Sequence, residues 1–274
     1  MIQLTKDRLK KLQNIELEML LEVDRICKKN HIHYSLDGGT LLGAVRHGGF
    51  IPWDDDADVV MTRAEYDRFA QACKRDLDKK RFFLQDFETD PEYRWGYAKL
   101  RRNETLCVRP GHAHTRWHHG ICIDIFIYDN VPDHQFFREV FTMMCFLIRK
   151  GLYSEMGRVS EEAFLLRVWY TLLSKIPRQI WIKWLTVLYK LSNRKKTKLA
   201  RHMTFPYPRE CHYGLPRRCF DHYIKMLFEG HSFLVFRDYD WYLRARYGEY
   251  WYLPPVEARV SMPISILQFP EEKD

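Results

Sequence analysis

The sequence has no long hydrophobic run. Its longest apolar stretch, VFTMMCFLI at residues 140–148, is far shorter than the roughly 20 residues that a helix needs to cross a bilayer, so we expect no transmembrane helix. It also shows no signal-peptide pattern, no C-x-x-C pair, no internal repeat and no low-complexity tract. The seven cysteines are odd in number and widely scattered, which favours a reduced, cytoplasmic protein over a disulfide-bonded one.

Acidic residues are fewer than basic ones. The chain has 36 Asp and Glu against 44 Lys and Arg, with a pI near 9.0. This excess predicts attraction to polyanions, such as phosphorylated small molecules, anionic lipids or nucleic acid, and does not choose among them. A hydrophobic content of 46% over 274 residues is enough for a substantial core and excludes a disordered chain.

The hydrophobic pattern predicts a mixed α/β (α+β) fold. Thr40 is positioned to cap one short helix, and Thr62 with Glu65 matches a capping box that opens another. Helices are predicted at residues 6–29, 40–46 and 62–75, and strands at residues 33–36, 57–61, 82–84, 97–100 and 121–127. We therefore expect a mixed β-sheet core flanked by helices.

The chain divides into three predicted parts. Residues 1–131 form the core. Residues 132–218 form a helical, aromatic-rich region, whose last stretch, 193–218, is rich in Lys, Arg and Pro and is interpreted as a loop or linker. Residues 219–274 form a small C-terminal unit that packs back on the core, with a turn at Glu229-Gly230 and a helix from Tyr239 to Gly248.

Four aspartates lie between residues 54 and 58. Asp56 and Asp58 are two apart, so on an extended strand they share a face and are close enough to hold one cation. Hard oxygen ligands in this arrangement suit Mg²⁺ or Mn²⁺. In ICIDIFI at residues 121–127, Asp124 is a lone carboxylate in a buried strand and a candidate third ligand. The alternative is a structural cluster that caps a strand and pairs with Arg46 or another base.

Glycines precede the acidic cluster. Gly38, Gly39 and Thr40 stand before a predicted helix, where free backbone N–H groups and the positive helix end favour a phosphate. A Gly-Gly pair alone is more often a simple turn. Together with the Asp-x-Asp strand and the distant strand aspartate, it forms the constellation of a nucleotidyltransferase-like core.

The sequence closely resembles the LicD family of phosphocholine transferases. The resemblance rests on LDGGTLLGAVRHGGFIPWDDDADVVMTRAEYDRF, YAKLRRNET, HHGICIDIFIYD and the C-terminal FEG and DYDWYLRARYGEYWYLPP. It implies transfer of phosphocholine from CDP-choline to a sugar hydroxyl of a lipid-linked or polymeric glycan, such as a teichoic acid or lipopolysaccharide precursor, with release of CMP. Asp56, Asp58 and Asp124 would then bind metal and act in catalysis, while Arg46 and Lys99 match basic motif residues that would bind phosphate.

The resemblance leaves the transferred group open. Fukutin-related protein, which is similar at greater distance, transfers ribitol phosphate, so ribitol, glycerol or ethanolamine phosphate are alternatives to phosphocholine. The chain also departs from the family pattern at Ile127, where a Pro is common, and after Arg259, where a His is often found. Both departures concern the identity of the acceptor glycan.

A choline head group requires aromatic faces, because a quaternary ammonium has no hydrogen to donate. Trp53, Tyr97 and Trp117 lie in or near the motif segments and are candidates, beside Trp95. With 15% aromatic residues in the chain, a core position is the alternative for each. For Trp53, a place at the strand entry is the stronger alternative.

Two further segments are open to two interpretations. The histidine-rich loop at residues 111–120 would bind zinc or cover the substrate, and its spacing matches no common structural zinc motif. The segment QIWIKWLTVLYK at residues 179–190 would pack in the core or lie on a membrane surface.

We expect a cytoplasmic enzyme, with peripheral contact to the inner face of a membrane as one possibility, and we expect no nucleic-acid partner. The alternatives are nucleotidyl transfer and a basic module that binds polyanions or membranes.

Overall fold

The computed structural model describes residue 2, residues 4–207 and residues 211–272. Within these residues the helices are α1 (Lys6–Lys29), α2 (Gly38–His47), α3 (Arg63–Asp76), α4 (Gln135–Ser160), α5 (Phe164–Ser174), α6 (Arg178–Ser192) and α7 (Tyr239–Tyr247). The strands are β1 (Ser35–Leu36), β2 (Asp58–Thr62), β3 (Phe82–Gln85), β4 (Ala98–Arg102), β5 (Leu106–Val108), β6 (Cys122–Val131), β7 (Leu199–His202), β8 (Leu215–Pro216), β9 (Tyr223–Phe228), β10 (His231–Phe236) and β11 (Ile266–Gln268). The mixed α/β prediction is confirmed.

A mixed sheet organises the core. Its strands run in the order β1-β2-β6-β4-β3, and β7 and β8 extend it beside the far half of β6. The central pair, β2 and β6, is parallel, whereas β4 and β7 lie antiparallel to β6. Because β6 has ten residues, its first half pairs with β4 and its second half with β7.

The alternation of β6 determines which face of the sheet is apolar. Ile121, Ile123, Ile125 and Ile127 are all at most 2% exposed and belong to the main hydrophobic cluster. Helices α1 and α3 contact the sheet, and burying each such side chain contributes roughly 1.5–3 kcal/mol. The intervening residues of β6, including Asp124, therefore project from the opposite face.

The C-terminal residues pack against the core. Strands β9 and β10 form a hairpin whose turn residues, Glu229 and Gly230, both have positive φ, as predicted. Helix α7 ends at Gly248, also as predicted. The Glu229 carboxylate accepts a hydrogen bond from the N–H of Phe50 and pairs with Lys10. These contacts hold the hairpin against α1 and the segment that follows α2, and α7 contacts α2.

The helices α4, α5 and α6 form a unit with a core of its own. Phe141, Ile148, Leu152, Trp181 and Leu185 are buried together in it. The unit meets the rest of the fold at Tyr189 of α6, whose ring packs against the guanidinium of Arg63. Arg63, the first residue of α3, in turn forms two N–H···O bonds of 2.9 Å with Asp129 of β6. None of the helices described by the structure is both long enough and apolar enough to cross a membrane.

Three local predictions are wrong. Thr40 does not cap α2, because the helix begins two residues earlier, after Asp37. Thr62 precedes α3 but makes no side-chain cap bond, and the Glu65 carboxylate binds His33 and Arg68 instead.

The third concerns the basic segment that was expected to be a loop or linker. It contains β7 and β8, which join the central sheet because β7 pairs with β6. Residues 208–210 of that segment, and residues 1, 3, 273 and 274 of the terminal parts, lie outside the described residues. The division into three domains stays a prediction.

Candidate active site

Three neighbouring strands place charged side chains in one row. Asp58 of β2 is in register with Asp124 of β6, and Lys99 of β4 is in register with the same Asp124. In-register residues of adjacent strands lie about 5 Å apart and share a face. The Nζ of Lys99 donates to Oδ1 of Asp124. Burial alone would lower the pKa of Lys99, but Asp124 and neighbouring groups outweigh this and raise it, so the ammonium stays charged.

Two more carboxylates join this row from the loop before β2. Burial and the charges of Asp56 and Asp55 raise the pKa of Asp54 to about 8, and the Asp54 and Asp56 side chains are hydrogen bonded to each other. Burial, then the charges of Asp56 and Asp124, raise the pKa of Asp58 well above its usual range. The pKa of Asp56 is raised by burial and by Asp124. The three predicted aspartates therefore face one another, and they repel.

Such a set of oxygens fits a hard divalent cation. Bringing several carboxylates together in a low-dielectric site is unfavourable unless a proton or a cation neutralises them. As the described side chains stand, no group of three or more His, Cys, Asp or Glu could hold a metal ion, and Lys99 supplies a positive charge to Asp124. An ion bound here would take over that role from the lysine.

The glycines of α2 lie against the carboxylates. A Cβ on Gly39 would come within 2.6 Å of Oδ2 of Asp54, and one on Gly38, whose φ is +51°, within 3.2 Å of Oδ2 of Asp58. The first N–H groups of a helix have no partner within the helix. The start of α2 therefore presents amide groups directly beside the acidic row. The Thr40 hydroxyl is used differently, since it accepts a hydrogen bond of 2.8 Å from the N–H of Asp58 and holds that residue in place.

Helix α7 contributes residues that the sequence analysis did not single out. The Tyr242 hydroxyl donates to Oδ1 of Asp37 and accepts from Nη1 of Arg246, at 2.7 Å, and from the N–H of Gly38, at 3.3 Å. The Nη2 of Arg246 lies 3.5 Å from the position of a Cβ on Gly38. A guanidinium is thus held at the N-terminus of α2. Tyr242 and Arg246 both lie in the C-terminal motif DYDWYLRARYGEYWYLPP, but nothing in that motif indicated which face of α7 contacts α2.

We expect Gly38→Ala and Gly48→Ala to differ in activity and not in stability. Both glycines have positive φ, +51° and +69°, so each alanine should lower the free energy of unfolding by about 1 kcal/mol. Nothing lies within 4 Å of a Cβ on Gly48, whereas Gly38 faces the acidic row. Only Gly38→Ala should reduce turnover, by about tenfold or more. Urea unfolding with parallel rate measurements tests this, and equal turnover of the two variants would contradict it.

Two charged residues have structural partners away from the row. Asp55 is buried, pairs with Arg109 at 2.7 Å and accepts from the N–H of Met262, so for this aspartate the structural interpretation holds. Arg46 lies in the last turn of α2 and donates to the carbonyl oxygen of Tyr250 at 2.9 Å. The structure thus places Arg46 on the C-terminal segment, whereas Lys99 lies at the acidic row.

A cavity of about 480 Å³ opens beside the row. The residues that line it include Asp56, Lys99, Asp124, Trp95, Tyr97 and Trp117. Two of the three predicted choline-binding aromatics, Tyr97 and Trp117, therefore lie together, with Trp95. Trp53 is not among the lining residues, and its ring packs against the guanidinium of Arg259 at 5.4 Å.

The wall opposite the strands comes from α1. Glu16 is 1% exposed, lines the same cavity, and its Oε2 has no hydrogen-bond partner among the described residues. Burial, followed by the charges of Asp56 and Asp55, raises the pKa of Glu16 well above its usual range. A buried carboxylate without a partner is costly, so this group is suited to a ligand that brings a positive charge or a donor.

The histidine-rich loop covers part of this cavity. His112 and His119 line it together with Trp117, while His118 accepts from the N–H of Gly120 and stacks on Phe83. Burial lowers the pKa of His112 to about 4, so it is neutral at physiological pH. No metal-binding group includes these histidines in the part of the chain that the structure describes.

The comparisons with known proteins first define the class of protein. Residues 31–146 match the family model described as LicD/FKTN/FKRP, nucleotidyltransferase domain. The chain is also 30% identical over 267 residues to the lipopolysaccharide cholinephosphotransferase LicD of Haemophilus influenzae, an alignment that covers 91% of this chain and 93% of that protein. The protein is therefore a transferase.

Within this class the chain belongs to the LicD family. Shorter matches are to uncharacterised proteins of Rickettsia typhi, 41% identical over 54 residues, and Rickettsia prowazekii, 48% identical over 42 residues. They cover 20% and 15% of this chain and 18% and 16% of those proteins. The family resemblance stated from the motifs is confirmed.

Proposed function

We propose that this protein transfers phosphocholine from CDP-choline to a sugar hydroxyl of a cell-surface glycan and releases CMP, with Mg²⁺ or Mn²⁺ held by Asp56, Asp58 and Asp124. The observation that carries the proposal is the in-register pair of Asp58 and Asp124 on parallel strands, with Asp56 beside them. The named activity of the Haemophilus influenzae relative supports choline phosphate as the transferred group.

Each residue of the site has a separate role in phosphoryl transfer. Bound metal supplies charge neutralisation on the donor diphosphate, which is the main requirement of this reaction. The amide of Gly39 and the guanidinium of Arg246 bind phosphate oxygens. Lys99 stabilises the oxygens of the transferred group from the β4 side. Asp124 accepts the proton of the acceptor hydroxyl. The oxygen of that hydroxyl forms the new bond to phosphorus, and the bond from phosphorus to CMP breaks.

The large cavity suits the choline end of the donor. Trp95 and Trp117 have ring centroids 6.3 Å apart, and the Tyr97 ring, which lines the same cavity, lies 5.2 Å from the Nζ of Lys99. The ring faces attract a quaternary ammonium through their quadrupoles. The buried carboxyl group of Glu16, whose Oε2 has no hydrogen-bond partner among the described residues, lines the same space. We assign the trimethylammonium group to this cavity.

A second cavity suits the nucleoside. It has a volume of about 240 Å³ and is lined by aromatic residues beside Asp37 and Arg246. His202, which lines it, is 2% exposed, and neither of its ring nitrogens has a partner among the described residues. Burial lowers the pKa of His202 to about 3, so the ring stays neutral and offers one donor and one acceptor. A cytosine base presents groups of both kinds.

We expect Trp95→Leu to weaken binding of CDP-choline and to leave binding of CMP unchanged. A desolvated cation–π contact is worth enough to raise the Kd about tenfold or more when the ring is removed. Isothermal titration calorimetry of the two ligands measures this. Trp53→Leu is the matched control, because Trp53 is not among the residues that line the cavity. A parallel loss of CMP affinity, or an equal effect at Trp53, would contradict the assignment.

The acceptor and the location belong to the proposal as well. The Haemophilus influenzae relative is named for lipopolysaccharide, and we propose a lipid-linked or polymeric glycan acceptor, with lipopolysaccharide or teichoic acid precursors as the candidates. Such an acceptor would be met in the cytoplasm, at the inner face of a membrane.

Calorimetric titration and product analysis test the reaction. CDP-choline, CDP-ethanolamine, CDP-ribitol and CDP-glycerol are titrated, each with and without Mg²⁺, and we expect the tightest metal-dependent binding for CDP-choline. Incubation with acceptor should release CMP. Release of pyrophosphate from a nucleoside triphosphate would instead indicate nucleotidyl transfer, and failure of every CDP-alcohol to bind with metal present would overturn the donor assignment.

A further inference from the structure

The helical unit formed by α4, α5 and α6 has apolar residues on its outer surface. They recur with helical spacing, at steps of three and four along each helix. The exposed residues of these stripes are Phe136, Val140 and Met143 on α4, Leu165, Val168 and Leu172 on α5, and Ile180, Trp184, Val187 and Leu191 on α6. We call this set the outer helical surface. Helix α4 contacts both other helices, so the three stripes belong to one packed unit.

These residues exceed what the unit needs for its own core. A separate stripe on α4 and α6, which includes Ile148 and Trp181, already fills the buried cluster. Helix α5 buries Tyr170, whereas Leu165 is 79% exposed. Many exposed apolar side chains on one packed unit are typical of an interface with a partner or a membrane.

The charge of the same unit selects the partner. Residues 135–196 contain twelve Lys and Arg and four Asp and Glu, so this segment carries a net charge equal to the formal +8 of the whole chain. Many of these basic side chains are exposed next to the apolar stripes, among them Arg158, Arg167, Lys175, Lys183, Lys190 and Arg194. Two copies of such a surface would repel each other. An anionic partner is complementary.

We propose that the outer helical surface docks on the surface of a bilayer that contains anionic lipid. Amphipathic helices with basic and aromatic residues lie in the interfacial plane, where their apolar faces enter the acyl boundary and their Lys and Arg side chains meet lipid phosphates. Since the described helices cannot span the bilayer, this contact is peripheral. It identifies the surface by which the protein would reach a lipid-linked acceptor.

Vesicle flotation tests the docking without any substrate. The protein is expected to float with vesicles of phosphatidylcholine and phosphatidylglycerol and not with phosphatidylcholine alone, and 0.5 M NaCl should weaken binding. Reversing Lys175, Lys183 and Lys190 together to Glu should lower partitioning at least about a hundredfold. The matched control reverses three exposed lysines elsewhere, Lys79, Lys80 and Lys225, and should change binding little.

The apolar part is tested by Leu165→Gln with Leu172→Gln. Both side chains are exposed, so the fold should be retained, and flotation should fall at least about tenfold. Leu227→Gln, on an exposed leucine of β9, is the control. Absence of flotation with anionic vesicles, equal effects in the controls, or a dimer in sedimentation equilibrium that the double variant dissociates would each overturn the docking. None of these results bears on the donor or on CMP release, so the proposed reaction would stand.

Discussion

Replacing Asp58 by Asn is expected to lower the rate of CMP release at least about a thousandfold. Asp58 faces Asp124 across the parallel pair of strands, and Asn keeps its shape and removes its charge. Without that charge, the row can no longer hold a divalent cation tightly against the donor diphosphate. Asp124→Asn should have an effect of the same order. The measurement is the steady-state rate of CMP formation from CDP-choline at saturating Mg²⁺.

The same substitution should stabilise the protein when no metal is present. Burial and the neighbouring charges of Asp56 and Asp124 raise the pKa of Asp58, which means that its ionised form is unfavourable in the folded state. Asn removes this repulsion and should add about 1 kcal/mol to the free energy of unfolding in EDTA. Asp221→Asn, at an exposed aspartate, should change neither quantity. If Asp58→Asn kept its turnover, or lost stability together with activity, the acidic row would be structural.

The acidic row could be predicted because strand alternation is a local property. ICIDIFI assigns Asp124 to the face opposite the isoleucines. The spacing of Asp56 and Asp58 predicted that both lie on one face of a strand, whereas β2 begins at Asp58 and Asp56 lies in the loop before it. Local sequence patterns do not determine which strands are neighbours in the sheet. The registers of Asp58 with Asp124 and of Lys99 with Asp124 depend on sheet order. Here the motif resemblance supplied what the periodicity did not.

Other features depend on packing between distant segments. Thr40 was expected at a cap, yet its hydroxyl binds the N–H of Asp58 from inside α2, because the preceding turn lets the helix begin at Gly38. Strand β7 lies in a segment rich in Lys, Arg and Pro, a composition typical of loops, and is stabilised by pairing with β6. The same holds for the aromatic candidates: composition alone does not tell that Tyr97 and Trp117 line one cavity and that Trp53 contacts Arg259.

Helix α7 is the clearest case of a contribution that required the structure. Its sequence contains two arginines, and periodicity gives no reason to choose between them. In the structure Arg244 pairs with Asp240 and Glu249 at the surface, while Arg246 lies beside Tyr242 and Asp37 at the start of α2. The N-terminal end of α2, where we propose that phosphate binds, is therefore completed by a residue from near the C-terminal end of the sequence.

Arg246→Gln is expected to lower kcat about a hundredfold or more. The guanidinium is held 2.7 Å from the Tyr242 hydroxyl, next to Gly38, and the proposed transfer places donor phosphate oxygens there. Gln keeps a hydrogen-bond donor but loses the positive charge and the bidentate geometry of the guanidinium. Lys should restore part of the rate, because it supplies the charge without the bidentate geometry. The measurement is kcat and KM for CDP-choline for both variants.

Arg244→Gln is the matched control, since it lies two residues away on the same helix and binds exposed carboxylates. Surface ion pairs contribute at most about 1 kcal/mol, so this variant should keep both its stability and its turnover. Arg246→Gln also removes a partner of Asp37, whose nearest other donor is Tyr242, and some stability should be lost with it. The two roles are distinguished by the Lys variant. If Arg246 only neutralises Asp37, Lys should restore stability and rate to the same extent, whereas for a phosphate ligand Lys should restore stability fully and the rate only in part.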